Sequence, residues 1–236
     1  SELSVLTDNY LSQKYLVDIK KDNILINATI LPDIKLVERI AVLEPGQALV
    51  AKDKIIAYYV PTVLADKISM LNIDIIDYEK FEYEENYTCI KNTWDIFLLN
   101  SNEIKRDFEL ICYGRNSHEL NDTNRIIGGE KLFVEDGANV LCSIINASEG
   151  PVYIGKNATI MEGSVIRGPA AICDNSVIKV GAKIYEGTTI GPYCKVGGEV
   201  YNSVFFGYSN KAHDGFFGHS VIGEWCNIGA DTNTSN

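Results

Sequence analysis

Histidine is scarce in this 236-residue chain, with only His118, His213 and His219, and its six cysteines stand far apart. No CxxC pair or dense cysteine framework occurs. That argues against a disulfide scaffold and fits reduced thiols, expected to be small buried hydrophobes. No stretch approaches the roughly 20 apolar residues that a membrane-spanning helix needs. The first thirty residues also lack the basic start, apolar core and small-residue cleavage site of a secretory signal. Basic residues are few: 21 Lys and Arg stand against 32 Asp and Glu, a net charge of −11. They do not cluster, so neither nucleic acid nor an anionic membrane is expected as a partner. A soluble, cytoplasmic protein follows. A complete GxGxxG is missing, as is a phosphate-cradling GxxxxGK[ST] loop.

What is present divides near residue 130. Residues 1–130 have α/β texture. Short apolar runs such as Leu3-Ser4-Val5-Leu6 and Ile24-Leu25-Ile26 alternate with a helical pattern over Lys35 to Leu43, where Leu36, Val37, Ile40 and Leu43 recur at helical spacing. A hairpin is expected from Ala48 to Tyr59 around Lys52-Asp53-Lys54. A longer helix is expected over Thr93 to Leu110, with Trp94, Phe97, Leu98, Ile104 and Phe108 on its apolar side. Tyr78, Phe81, Tyr83 and Tyr87, interleaved with acids, suggest a loop between domains.

Residues 131–236 follow a different rule. Ile154, Ile160, Ile166, Ile172, Ile178, Ile184, Ile190 and Val196 are spaced six apart, and the position two residues before each from the second onward is small: Ala158, Ser164, Ala170, Ser176, Ala182, Thr188 and Cys194. Neither a helix nor an ordinary strand has this period. One large and one small inward residue per six is the pattern of a hexapeptide parallel β-helix, in which three hexads close a triangular coil. Corner residues agree, with Asn157, Gly163, Pro169, Asn175, Gly181 and Gly187 standing where a tight turn is needed. The beat shifts by two residues before Ile154 and again after Asn202-Ser203, where it resumes at Val204, Phe216, Ile222 and Ile228, while Asn210 breaks it. The column is thus expected to start near Leu132, with its chemistry at the breaks rather than in the repeats.

The stretch SNKAHDGFFGHSVIGEWCNIGA and the run NASEGPVYIGKNATIMEGSVIRGP resemble the bacterial bifunctional N-acetylglucosamine-1-phosphate uridyltransferase/glucosamine-1-phosphate acetyltransferase family, and within it a Bacteroidetes branch described as sugar nucleotidyltransferases. The resemblance implies an α/β nucleotidyltransferase-like N-terminal portion and a left-handed parallel β-helix that forms a homotrimer. It also implies acetyl-CoA as co-substrate and a sugar phosphate or nucleotide sugar as acceptor, with a nucleoside triphosphate and Mg²⁺ if nucleotidyl transfer is present. The family's K-A-x-H motif falls, one residue shorter, on Lys211-Ala212-His213, making His213 the general base toward a sugar amine. An imidazole suits that step because the amine must lose a proton as it attacks the thioester. Lys211, Asn227 and Asn236 are implied as substrate contacts, and Gly229 and Ala230 of the N-I-G-A motif as contacts to the acyl-CoA.

The sequence departs from the family in places. A family Tyr after the base is Phe216, a basic pair is replaced around Asn202-Ser203, and the Arg of an R-P-G motif is Gly191. Those groups hold the sugar phosphate in relatives, so either the acceptor differs or the site is inactive, with Arg167 and Lys179 as candidate replacements for the lost charge. No Gly-rich loop ending in Arg opens the chain; Leu3 to Leu6 reads as an inner strand of a longer domain, so the beginning is expected to be missing. The Gly-Asp pair that holds Mg²⁺ corresponds to Asn27-Ala28, leaving Asp33, with Asp8, as the carboxylate candidates. Two other readings compete. One is a non-catalytic sugar-nucleotide-binding or scaffold trimer; the other is a zinc enzyme built on His118, His213 and His219.

Overall fold

The six-residue period closes as a three-sided parallel β-solenoid. The computed structural model describes residues 3–52, 54–68 and 78–234, and the chain forms two compact units, Ser1–Lys91 and Asn92–Asn236.

In the second unit three parallel sheets run along the column. The first face carries Arg125–Ile127, Ile144–Asn146, Val165–Arg167, Lys183–Ile184, Glu199–Tyr201 and Phe216–Gly218; the second carries Leu132–Val134, Val152–Ile154, Ala170–Ile172, Thr188–Ile190, Val204–Phe205 and Val221–Ile222. Strands Asn139–Val140, Thr159–Ile160, Val177–Ile178, Lys195–Val196 and Asn210–Lys211 make the third. Register keeps like with like: Ile154 lies beside Ile172 and then Ile190, and Ile160 beside Ile178 and then Val196. All eight aliphatics of the hexads, and all seven small residues before them, are buried. The fold is consistent with the expected left-handed β-helix.

The ends of the column differ from the sequence reading. Its first strand is Arg125–Ile127, one side earlier than Leu132. Beyond Asn202 the inward residues are Phe205, Lys211 and Phe217, beside Ile190, Val196 and Val200. The sequence phase placed Val204, Asn210 and Phe216 there, one residue off. Two adjacent apolar residues at 204–205 and 216–217 leave the phase ambiguous, and a lysine on the axis runs against any hydrophobic template.

Helix Asp95–Cys112 belongs to this second unit, packed on second-face strands Ala170–Ile172, Thr188–Ile190 and Val204–Phe205. The Asn100 amide donates to the Gly187 carbonyl (2.7 Å) and accepts from the Thr189 hydroxyl (3.0 Å). Ile104 is buried there, whereas Trp94 and Leu98, expected on the apolar side, are exposed. Periodicity gives a helix its apolar stripe but does not name the surface that covers it.

The first unit has strands β1 (Asn23–Ile26), β2 (Ile30–Leu31), β3 (Gln47–Ala51), β4 (Lys54–Val60), β5 (Glu79–Glu82) and β6 (Thr88–Cys89), with helix α1 (Ile34–Ala41) between β2 and β3. The order β1-β4-β3-β5 includes the expected β3–β4 hairpin. Leu49, Ala51, Ile56 and Ala57 pack with Leu36 and Ile40 of α1, while Ala48, Val50, Tyr58 and Val60 form a second cluster. Val37 of the helical pattern is exposed. Two sequence readings are corrected. Leu3 to Leu6 forms no strand, and the acidic aromatic segment is no plain loop, since β5 pairs in parallel with β3 and Tyr83 is buried. Only Cys194 is a fully buried thiol; Cys142 and Cys226 are exposed.

Candidate functional site

A cleft of about 290 Å³ opens where the third face turns toward the first, lined by Lys195, Asn210, Ala212, His213, Asn227, Ile228, Gly229 and Ala230. Four residues singled out from the sequence thus come together: His213, Asn227, Gly229 and Ala230. Asn210 pairs with Lys195 in the ladder and bridges to Asn227 on its other side. Their side chains therefore stand in one outward row about 4.8 Å apart per rung, beside the exposed His213.

Lys211 stays out of this cleft. Its side chain occupies the inward place next to Val196 and is 2% exposed. The Nζ donates to the carbonyls of Gly197 (3.1 Å) and His213 (2.7 Å). Glycine makes room for it: a Cβ on Gly198 would stand 2.9 Å from that Nζ and 2.9 Å from the Gly215 carbonyl. Burial pushes the ammonium below the usual lysine range, with Asp214 and Asp231 opposing the shift. Lys211 is thus an anchor under the His213 turn.

The replacement cations fall elsewhere. Arg167 points from the first face, 3.9 Å from Glu186. Lys179 lies on the same corner as Ala212 but two rungs away, next to Gly197. The cation that does line the cleft, Lys195, was missed in the sequence. The available signal was its place directly before Val196, which makes it outward on the face that later carries Asn210. Asn236 lies outside the described residues. Arginine is excluded at Gly191 in this backbone, because a Cβ there would run into the Phe206 carbonyl oxygen.

The histidines do not converge. His118 lies 3.3 Å from Asp136, and His219 packs edge-on against Phe97 and Tyr201 at a different corner from His213. Among the described residues no three His, Cys, Asp or Glu side chains form a metal cluster. Nor does any helix among them have the length and apolarity to cross a membrane.

In the first unit, Asp33 caps α1, its Oδ1 accepting from the Leu36 amide at 2.8 Å. Asn27 accepts from the Thr29 hydroxyl (2.7 Å), which in turn accepts from Lys54 Nζ (3.0 Å). Lys54 also lies 3.0 Å from Cys89 Sγ. A second cleft of about 420 Å³ lies along α1 between Lys35, Arg39 and Glu38, with Glu85 paired to Lys35 at 3.0 Å.

Residues 1–116 match the family model described as sugar nucleotidyl transferase. That span, just under half of the chain, covers the whole first unit and reaches past helix Asp95–Cys112. The sugar nucleotidyl transferase likeness, joined to a β-solenoid, fits a transferase of sugar-nucleotide pathways acting on sugar phosphates and nucleotides. Where the resemblance puts a metal-holding pair the chain has Asn27-Ala28, an amide in place of a carboxylate, with the Asn27 Oδ1 accepting from Thr29, and the nearby Asp33 Oδ1 is engaged at the helix cap.

Proposed function

We propose that the solenoid carries out acetyl-CoA-dependent N-acetylation of an amino sugar, presented as a sugar phosphate or a nucleotide sugar, in a sugar-nucleotide pathway. The observation that carries this reading is the convergence of His213, Asn227, Gly229 and Ala230 on one cleft. The sugar amine attacks the thioester carbonyl carbon, the amine proton passes to His213, the C–S bond breaks, and coenzyme A leaves as the thiolate, which takes that proton from the imidazolium to become the thiol. Neutral imidazole has the right basicity for that transfer near pH 7. In this reading the Asn227 amide donates to the carbonyl oxygen as negative charge develops on it. Glycine at 229 lets a ligand approach the backbone closely. A column of this kind exposes its faces for association, and a homotrimer, with neighbouring columns enclosing the cleft, is part of the proposal.

The test is coenzyme A release from acetyl-CoA by the purified chain, with amino-sugar 1-phosphates and nucleotide-linked amino sugars as acceptors. Turnover with one acceptor, lost in His213→Ala without loss of thermal stability, is the expected result. Equal turnover in the variant would remove His213 from the mechanism. No turnover with any acceptor would favour the non-catalytic binding or scaffold reading.

A further inference from the structure

Three rungs of the solenoid place large aromatic residues at a corner where the backbone is left-handed. Tyr193, Tyr208 and Trp225 have φ of 58°, 54° and 61°. They stack in a ladder, with ring centroids 5.0 and 4.6 Å apart and planes within 5° of parallel. The same corner on earlier rungs carries Gly137, Asn157 and Asn175, also at positive φ. Glycine and asparagine take that conformation readily, while a bulky side chain there is an outlier that costs of order 1–3 kcal/mol. The turn therefore does not require aromatics, and the rings remain 51%, 43% and 72% exposed.

Their place relative to the cleft gives them a use. Each ring stands two residues before an outward residue of the third face: Tyr193 before Lys195, Tyr208 before Asn210, Trp225 before Asn227. One face is thus bordered by the aromatic ladder on one edge and by His213 on the other, with a lysine and two amides between. From Tyr208 to His213 the chain spans at most about 17 Å.

We propose that this face binds an extended nucleotide diphosphate sugar, with its base stacked on the outer face of Trp225 at the end of the Tyr193-Tyr208-Trp225 ladder, its diphosphate toward Lys195 and its sugar amine at His213. The proposal rests on the acyl-transfer reading of the cleft and names its acceptor. Aromatic side chains stack any base, because every base presents a π-face. Lysine supplies a point charge to the diphosphate, and Asn210 and Asn227 offer amide donors to oxygens of the diphosphate and sugar.

Binding can be tested without turnover. A Trp94→Phe background leaves Trp225 as the single tryptophan. Its fluorescence is titrated with UDP, GDP, ADP, CDP and dTDP, and with glucosamine 1-phosphate and coenzyme A as the base-free and acyl-donor arms. Saturable quenching by at least one nucleoside diphosphate, and none by glucosamine 1-phosphate, is expected. Calorimetry should then show Trp225→Asn, the residue this corner uses at 157 and 175, binding that nucleotide about tenfold more weakly with an unchanged melting temperature. Lys195→Met should weaken binding and flatten its salt dependence. The proposal is overturned if no nucleoside diphosphate quenches, if coenzyme A alone does, or if Trp225→Asn dissociates an oligomer and leaves nucleotide affinity unchanged. Acetylation of glucosamine 1-phosphate by a protein that binds no nucleotide would sink this proposal and leave the acyl-transfer reading standing.

Discussion

From inside the column, the Lys211 ammonium donates to the His213 carbonyl at 2.7 Å. A charge is thus buried where every earlier rung of that face puts Val or Ile, and it holds the turn that presents the proposed base. Lys211→Met restores the aliphatic stack. Its stability should equal or exceed that of the parent, since exchanging a buried charge for a fitting apolar group is often neutral or favourable. Coenzyme A release should fall by tenfold or more as the turn drifts, because small misplacements of a reacting group are costly. By contrast Ile172→Ala should lose about 2–5 kcal/mol. Thermal melts and initial rates separate the two effects, and full activity in Lys211→Met would show that the anchor has no bearing on the site.

Gly191 offers a test of how closely neighbouring rungs pack. Gly191→Arg should lower stability by about 1–3 kcal/mol or more and give no gain in sugar-phosphate affinity, because its Cβ runs into the Phe206 carbonyl oxygen. A stable variant with tighter sugar-phosphate binding would contradict the geometry of that rung.

Acid should loosen the base of the column through Glu135. This nearly buried carboxylate accepts from Arg115 (2.7 Å) and from the Tyr153 hydroxyl (2.9 Å). Burial alone would raise its pKa, but the two hydrogen bonds and the Arg115 charge hold it below the usual carboxylate range. A group with a depressed folded pKa stabilises the fold above its unfolded value near 4.5. That contribution fades as pH falls through the lower folded value. Glu135→Gln should therefore destabilise the protein at pH 7 and make its melting temperature depend less on pH below about 4.5. Parallel melting curves for both proteins would count against it.

Cysteine reactivity should follow environment. Cys173 is pushed up to about 12 by burial. At Cys89 burial also acts upward, yet hydrogen bonding with Lys54 and Thr29, together with the Lys54 charge, brings the thiol below its ordinary value. Iodoacetamide at pH 7.5, followed by peptide mass spectrometry, should label Cys89 much faster than Cys173. Lys54→Met should slow Cys89 and leave the exposed Cys142 unaffected. Equal rates at Cys89 in both proteins would show that Lys54 does not activate it.

Much of the column was readable because its period is enforced by one repeated physical need, a branched aliphatic and a small residue on the axis in every hexad. Isoleucines 154 to 190 could satisfy that need only by stacking. The hairpin at Ala48 to Tyr59 and helix α1 were legible for similar local reasons of alternation and helical spacing. The His213 cleft was half legible. Motif residues identified His213, Asn227, Gly229 and Ala230, but not that Lys211 of the same motif turns inward.

The sequence by itself determined the solenoid and, from Ile154 to Val196, its three faces and corner positions, since those follow from an unbroken spacing along the chain. Tertiary structure decided which residues of different rungs meet, because stacking joins positions 15 to 21 apart, with offsets changed by every insertion. Only that stacking brought Lys195 to the cleft, took Arg167 to another face and aligned Tyr193, Tyr208 and Trp225 into a ladder. It also covered helix Asp95–Cys112 with the column, a partner that an amphipathic stripe does not specify.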